Sequence, residues 1–246
     1  MNMNKLLLLL FTVVNVYPAF CQDAATIMDR VDRNLSSDNR VFESSMVIHG
    51  KRNDRTVTSK TYAAGYKKSF TEYLTPPREQ GTKMLKLDDQ LWIYSPSTDR
   101  TIQIAGHMLR QSVMGSDLSY EDMMEDRKLT EVYDANLSRE ETIAERKAFV
   151  LVLTAKVTDA AYHKRKMWVD AERYVPLQEE LYAKSGQLLK RTVLSEVKQI
   201  SGRWYPTKIV FKDMLKDGEG TEFIITNIKF NQKIPDYIFT KAALKK

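Results

Sequence analysis

Leu91-Trp92-Ile93-Tyr94-Ser95-Pro96 reads as a strand running into a turn, and Arg100 to Ile104 reads as a short returning strand. The next segment is of another kind: His107-Met108-Leu109-Arg110-Gln111-Ser112-Val113-Met114-Gly115-Ser116-Asp117-Leu118-Ser119-Tyr120-Glu121-Asp122. It is apolar and Met-rich, yet turn and cap residues recur at close spacing, so neither a long helix nor a strand can run through it. The pattern predicts a broken flap laid over a sheet.

The sheet extends outward from that stretch in both directions. Thr82 to Leu87, Asp88-Asp89 and Gln90 to Tyr94 make a hairpin pattern. Upstream, Phe42 to His49, Thr56 to Ala64 and Tyr66 to Leu74 alternate with period two, with a tight turn or bulge at Gly65. Thr75 to Gly81 holds Pro76 and Pro77 and reads as a loop. Downstream, strands are predicted at Lys128 to Tyr133, Phe149 to Thr154, Lys164 to Val169, Leu177 to Tyr182, Leu188 to Val197, Tyr205 to Lys212 and Glu222 to Phe230. In the last of these, Ile224, Thr226, Ile228 and Phe230 are expected to share a face. Asp23 to Leu35 is the exception to period two: Ala24, Ile27, Met28, Val31 and Leu35 form one apolar helical face, with Asp23 as N-cap. Short strands at hairpin spacing give a mainly β chain of α+β type, antiparallel and meander-like, with helix and flap over its concave side.

Residues 1–21 read as a secretory signal. Lys5 precedes a short apolar run from Leu6 to Val14, and Ala19 and Cys21 supply the small residues of a cleavage site. The mature chain then begins at Gln22, and residues 22–246 form a single domain. Lipidation of Cys21 calls for a small residue before it, and Phe20 stands there. Cys21 is the chain's one cysteine, so no disulfide holds the exported protein. The net charge of +6 falls to +5 when Lys5 is removed. That balance suits an anionic membrane surface, or plain solubility.

Patterns for chemistry are sparse. His49, His107 and His163 have no partner at metal-ligand spacing, and nucleotide-binding and nucleophile-elbow motifs are absent, so no cofactor or metal is expected. Glu121, Asp122, Glu125 and Asp126 could pair for acid–base work, and a turnover lost on changing Asp117 or Asp122 would mark an enzyme. Ser119 and Asp122, however, fit a capping box, a structural use of the same carboxylate. The basic run His163-Lys164-Arg165-Lys166 lies in a strand of an exported chain, which argues against nucleic acid.

Leu91-Trp92-Ile93-Tyr94-Ser95-Pro96 resembles the strand-and-turn motif of LolA-type carriers. The similarity is nearer to the LolA-like outer-membrane lipoprotein-sorting proteins. It is carried also by Leu74 to Leu85, by Ser112 to Asp122 and by Tyr237-Ile238-Phe239-Thr240. The resemblance implies an incomplete antiparallel β-barrel whose concave side takes acyl chains. It implies a periplasmic, non-enzymatic carrier that sorts lipoproteins or lipids to the outer membrane. Its partners would be acylated cargo, an inner-membrane transporter and an outer-membrane acceptor, with the carrier itself a monomer. The flap segment departs from the better-known carriers. On this reading the cavity is lined by Met84, Trp92, Tyr94, Ile102, Ile104, Met108, Leu109, Met114 and Leu118. Because Leu91 and Ile93 are apolar too, either parity of that strand could face inward. A second reading uses the same fold as an RseB-like sensor that binds a membrane-protein segment.

Overall fold

The computed structural model describes residues 23–50 and 52–245. The signal segment expected at residues 1–21 lies outside the described residues.

One helix precedes the strands. In α1 (Ala24–Leu35) the Asp23 carboxylate accepts from Thr26 N at 2.6 Å, the N-cap that the sequence predicts. The strands before the flap are β1 (Asn39–Ile48), β2 (Arg55–Ala64), β3 (Lys68–Thr75), β4 (Lys83–Leu87), β5 (Gln90–Ser95) and β6 (Arg100–Ile104). Two short 3-10 turns come next, Gly106–Arg110 and Val113–Gly115, then α2 (Tyr120–Met124) and α3 (Leu129–Val132). The remaining strands are β7 (Tyr133–Ile143), β8 (Arg146–Ala155), β9 (Lys164–Asp170), β10 (Pro176–Tyr182), β11 (Leu188–Ile200), β12 (Arg203–Asp213) and β13 (Thr221–Phe230). Two 3-10 turns, Asp236–Phe239 and Lys241–Lys245, end the chain.

The described residues form one sheet of 13 strands, in the order β6-β5-β4-β3-β2-β1-β13-β12-β11-β10-β9-β8-β7. Neighbours are antiparallel throughout. It is two meanders joined along β1 and β13, and β6 and β7 stay unpaired with each other, so the barrel is open.

Ladder register fixes which residues look inward. Met46 pairs with Val57 and with Phe223, and Met84 with Ile93, on the concave side. Under α1, the same side carries Tyr133, Phe149, Leu151, Leu153, Met167 and Val169, which pack on Ile27, Met28 and Val31. Burying each such helix residue contributes about 1.5–3 kcal/mol, and this docking sustains a helix too short to stand alone. Asp32 on α1 reaches the other helix: its carboxylate accepts from Leu129 N, Thr130 N and Thr130 Oγ1 at 2.7–3.0 Å.

Two expectations are corrected here. Lys128 to Tyr133 is not a strand. Its middle is α3, and β7 starts at Tyr133. Along β13, Ile224 and Thr226 do not share a face with Ile228 and Phe230. A register shift opposite Glu43 and Ser44 inserts one residue, so Phe223 and Ile225 point inward with Ile228 and Phe230.

Candidate functional site

The flap covers the concave face of β1–β6 with side chains from its whole length. Met84, Leu91 and Ile104 are buried on the sheet, and Met108, Leu109, Tyr120, Met123 and Met124 pack over them. Next to them, Leu118 joins Met46, Val57 and Tyr73, with Met114 at the margin. Strand parity, open in the sequence, is decided by the ladder: Leu91 pairs with Ile104 and Ile93 with Ile102, all on the flap side.

Of the nine residues expected to line a cavity, six come together between sheet and flap: Met84, Ile104, Met108, Leu109, Met114 and Leu118. Ile102 shares their face but sits on the edge strand, 49% exposed. Trp92 and Tyr94 stand on the other side. Trp92 pairs with Gln103 and Leu85, and packs with Phe70, Phe239 and Leu244 beneath the C-terminal turns. Lys241 Nζ lies 4.1 Å from the Trp92 ring centre. Period two puts these two residues opposite Leu91 and Ile93, so they cannot line the same space as Met84.

Beneath this apolar cover lies a set of polar attachments. Ser119 and Asp122 form the capping box: Ser119 N donates to Asp122 Oδ2 at 2.7 Å, and Asp122 N to Ser119 Oγ at 3.2 Å. The same carboxylate accepts from Tyr162 Oη and pairs with Lys190 Nζ, and the Lys190 and Asp122 side chains are only 10% and 9% exposed. Burial first, then the adjacent Asp122 carboxylate, holds the Tyr162 phenol protonated well above the ordinary tyrosine range. Asp117 is also committed: its carboxylate accepts from Asp213 N at 2.9 Å and Thr221 Oγ1 at 3.0 Å. Arg55 donates to the carbonyl of Met114, a non-glycine residue at φ 52°. That left-handed geometry costs about 1–2 kcal/mol, so local contacts hold the turn in place. Lys86 donates to the Met124 carbonyl, and Arg40 pairs with Asp126. Asp122, one of the carboxylates considered for acid–base work, and Asp117 therefore serve as fasteners of the flap.

The sequence reading missed Tyr162, Lys190 and Thr221, which fasten the flap from far along the chain. It missed also a cleft of about 870 Å³ beside the flap. Arg110, Ser112, Asp117, Ser119 and Glu121 form its flap wall, and the other wall comes from the β8–β9 and β10–β11 connections and from Asp213 and Leu215. Its apolar surface includes Val157, Ala160, Ala161, Ala183, Leu189 and Leu215. A signal was available: Lys190 falls in the inward row of β11 with Thr192 and Leu194, and a buried lysine demands a partner. Among the described residues no group of three or more His, Cys, Asp or Glu could hold a metal ion, and no helix is long and apolar enough to cross a membrane.

An open antiparallel half-barrel with a covered concave face is the LolA-like fold, and solved structures match it over most of their length. A DUF1329 family protein from Desulfovibrio piger is 25% identical with a TM-score of 0.80, covering 89% of this chain and 97% of that one. A LolA superfamily protein from Nitrosomonas europaea is 25% identical with a TM-score of 0.76, covering 91% and 100%. An outer membrane lipoprotein-sorting protein domain from Vibrio parahaemolyticus is 23% identical with a TM-score of 0.79, covering 90% and 98%. No curated protein matches the sequence. A family model described as "Uncharacterized protein" matches residues 65–246, and the chain belongs to that family.

Proposed function

We propose that this protein is a non-catalytic periplasmic carrier that takes up acyl chains of lipoproteins or lipids and hands them toward the outer membrane. One observation carries the reading. A Met-rich cover lies on an apolar concave face, is fastened by discrete polar side chains, and borders an open cleft of about 870 Å³. Methionine adapts to apolar ligands of varied shape. Each methylene moved from water into such a space contributes about 0.8 kcal/mol, enough for an acyl chain to replace the flap's own contacts. A cleft of this size falls within the range of small-molecule sites. The fold of the lipoprotein-sorting domain and of the LolA superfamily protein supports the same reading. On it, residues 1–21 are removed at export and residues 22–246 work as one monomeric domain. An inner-membrane donor loads the carrier and an outer-membrane acceptor unloads it.

The test is native mass spectrometry of protein purified gently from periplasm, followed by lipid extraction. An added mass that extracts as acylated lipid or lipopeptide is expected. A bare protein that also fails to bind a fluorescent fatty acid overturns the reading and favours a protein segment as the occupant.

A further inference from the structure

The cleft beside the flap is not uniformly greasy. Arg110 stands on its flap wall, Lys156 and His163 on the β8–β9 side, and Lys184 on the β10–β11 turn. Arg110, Lys156, His163 and Lys184 are exposed, and the apolar surface of Val157, Ala160, Ala161, Ala183 and Leu189 is part of the same cleft. Three carboxylates share the cleft, and each is engaged. Asp117 is taken up by Asp213 N and Thr221. Asp213 is taken up by Leu215 N and Lys216. Glu121 faces the charge of Arg110, and its burial disfavours the ionised form. The acidic side chains are thus engaged within the protein, Asp213 by the charge of Lys216 and Asp117 by neutral donors, while the side chains of Arg110 and Lys184 stand exposed at the rim. Lys156 is already used, donating to the Thr130 carbonyl at 2.8 Å and pairing with Asp134 at 4.0 Å. Arg110 and Lys184 make no salt bridge among the described residues.

We propose that the carried amphiphile has an anionic head group, a phospholipid phosphate, held at the cleft mouth by Arg110 and Lys184 while its acyl chains lie along the apolar wall toward the flap. This rests on the carrier reading and adds the class of head group. A guanidinium binds phosphate through paired donors, and an ammonium through a compact charge. A zwitterionic head group would bring its own ammonium charge to the same cationic rim and lose that advantage.

The experiment incubates the purified chain with vesicles of phosphatidylglycerol or of phosphatidylcholine bearing the same acyl chains. The vesicles are floated away and the lipid left with the protein is measured. Capture of phosphatidylglycerol at least tenfold above phosphatidylcholine is expected. In Arg110→Ser/Lys184→Ser the preference should fall to near parity, the larger loss falling on phosphatidylglycerol. Both sites are exposed, and the single Lys184→Glu variant gives a second reading with less alteration. Equal capture of both lipids by the unmodified chain overturns the head-group inference and leaves the carrier reading standing. Capture of neither overturns both, including the case in which the protein only coats anionic vesicles. A tenfold preference that survives in the double variant overturns the assignment to Arg110 and Lys184.

Discussion

Replacing Asp122 by alanine should release the flap while the rest of the sheet stays folded. The carboxylate receives Ser119 N and Oγ, Tyr162 Oη and Lys190 Nζ, and its removal strands the buried Lys190 ammonium and Tyr162 hydroxyl. Breaking a buried ion pair by deleting one partner costs about 3–5 kcal/mol. Taking 3 kcal/mol, at about 1.4 kcal/mol per tenfold change, the open population of the flap rises roughly a hundredfold. Amide hydrogen exchange resolved by segment is the assay, because it reads local opening apart from global unfolding. Residues 108–124 should exchange roughly a hundredfold faster while β8 and β9 beneath α1 stay protected. Lys190→Met should have a smaller effect, since Asp122 keeps its Ser119 and Tyr162 donors. If exchange rises equally across flap and α1 core, the flap is not a separable unit and the reasoning fails. If Lys190→Met equals Asp122→Ala, the ion pair alone, and not the four-donor arrangement, holds the flap.

Trp92→Ala should lower stability by about 3–5 kcal/mol in denaturant unfolding, since it empties the space between Phe70, Phe239 and Leu244. Lipid capture per folded molecule should not change, and a selective loss of capture would place the convex face in the site. Asp32→Ala should cost about 2 kcal/mol by leaving the Leu129 and Thr130 amides without their acceptor, read as a lower unfolding midpoint. Asp170 offers a pH test: burial opposes its ionisation, but Arg146 and the amides of Arg173 and Glu172 more than offset this and hold the carboxyl below its ordinary value. A lowered folded value means the stabilisation is present above the unfolded value, near about 3.9, and is lost as pH falls through the folded one. Asp170→Asn should therefore be less stable at neutral pH and lose less on acidification below about pH 4, measured by acid unfolding. An unchanged acid limb would show that Asp170 does not set it.

The hairpin of β4 and β5, the helix α1 with its Asp23 cap, and the Ser119–Asp122 capping box were legible because each is written in residues a few positions apart. β7 was not. It is an edge strand whose second half carries Arg139, Glu140 and Glu141, so its alternation breaks down where water replaces a neighbouring strand. The inward face of β5 was illegible because four apolar residues in a row hide parity, and only the flap on one side and the C-terminal turns on the other distinguish them. The β13 register also escaped, since one inserted residue reverses every expectation beyond it. The fasteners Tyr162, Lys190 and Thr221 meet the flap from 40, 68 and 104 residues away, a juxtaposition that topology creates and local pattern cannot announce.

The pairing of β1 with β13 has a consequence for how the molecule comes into being. Each meander grows from hairpins between successive strands, closures that cost little chain entropy. The seam between them joins the first strand of the sheet to its thirteenth, and the turns that cover Trp92 follow β13 in the chain. Until β13 and those turns arrive, the seam edge of β1 presents bare backbone and the outer face of β5 lacks its cover. Arrival of β13 is therefore the event that makes the sheet continuous. Non-local closure of this kind is slow, and such open edges are prone to wrong pairing while they wait. A chain that crosses a membrane before folding would meet that interval on the far side, where the time to seal the seam sets how long it depends on protection from its neighbours.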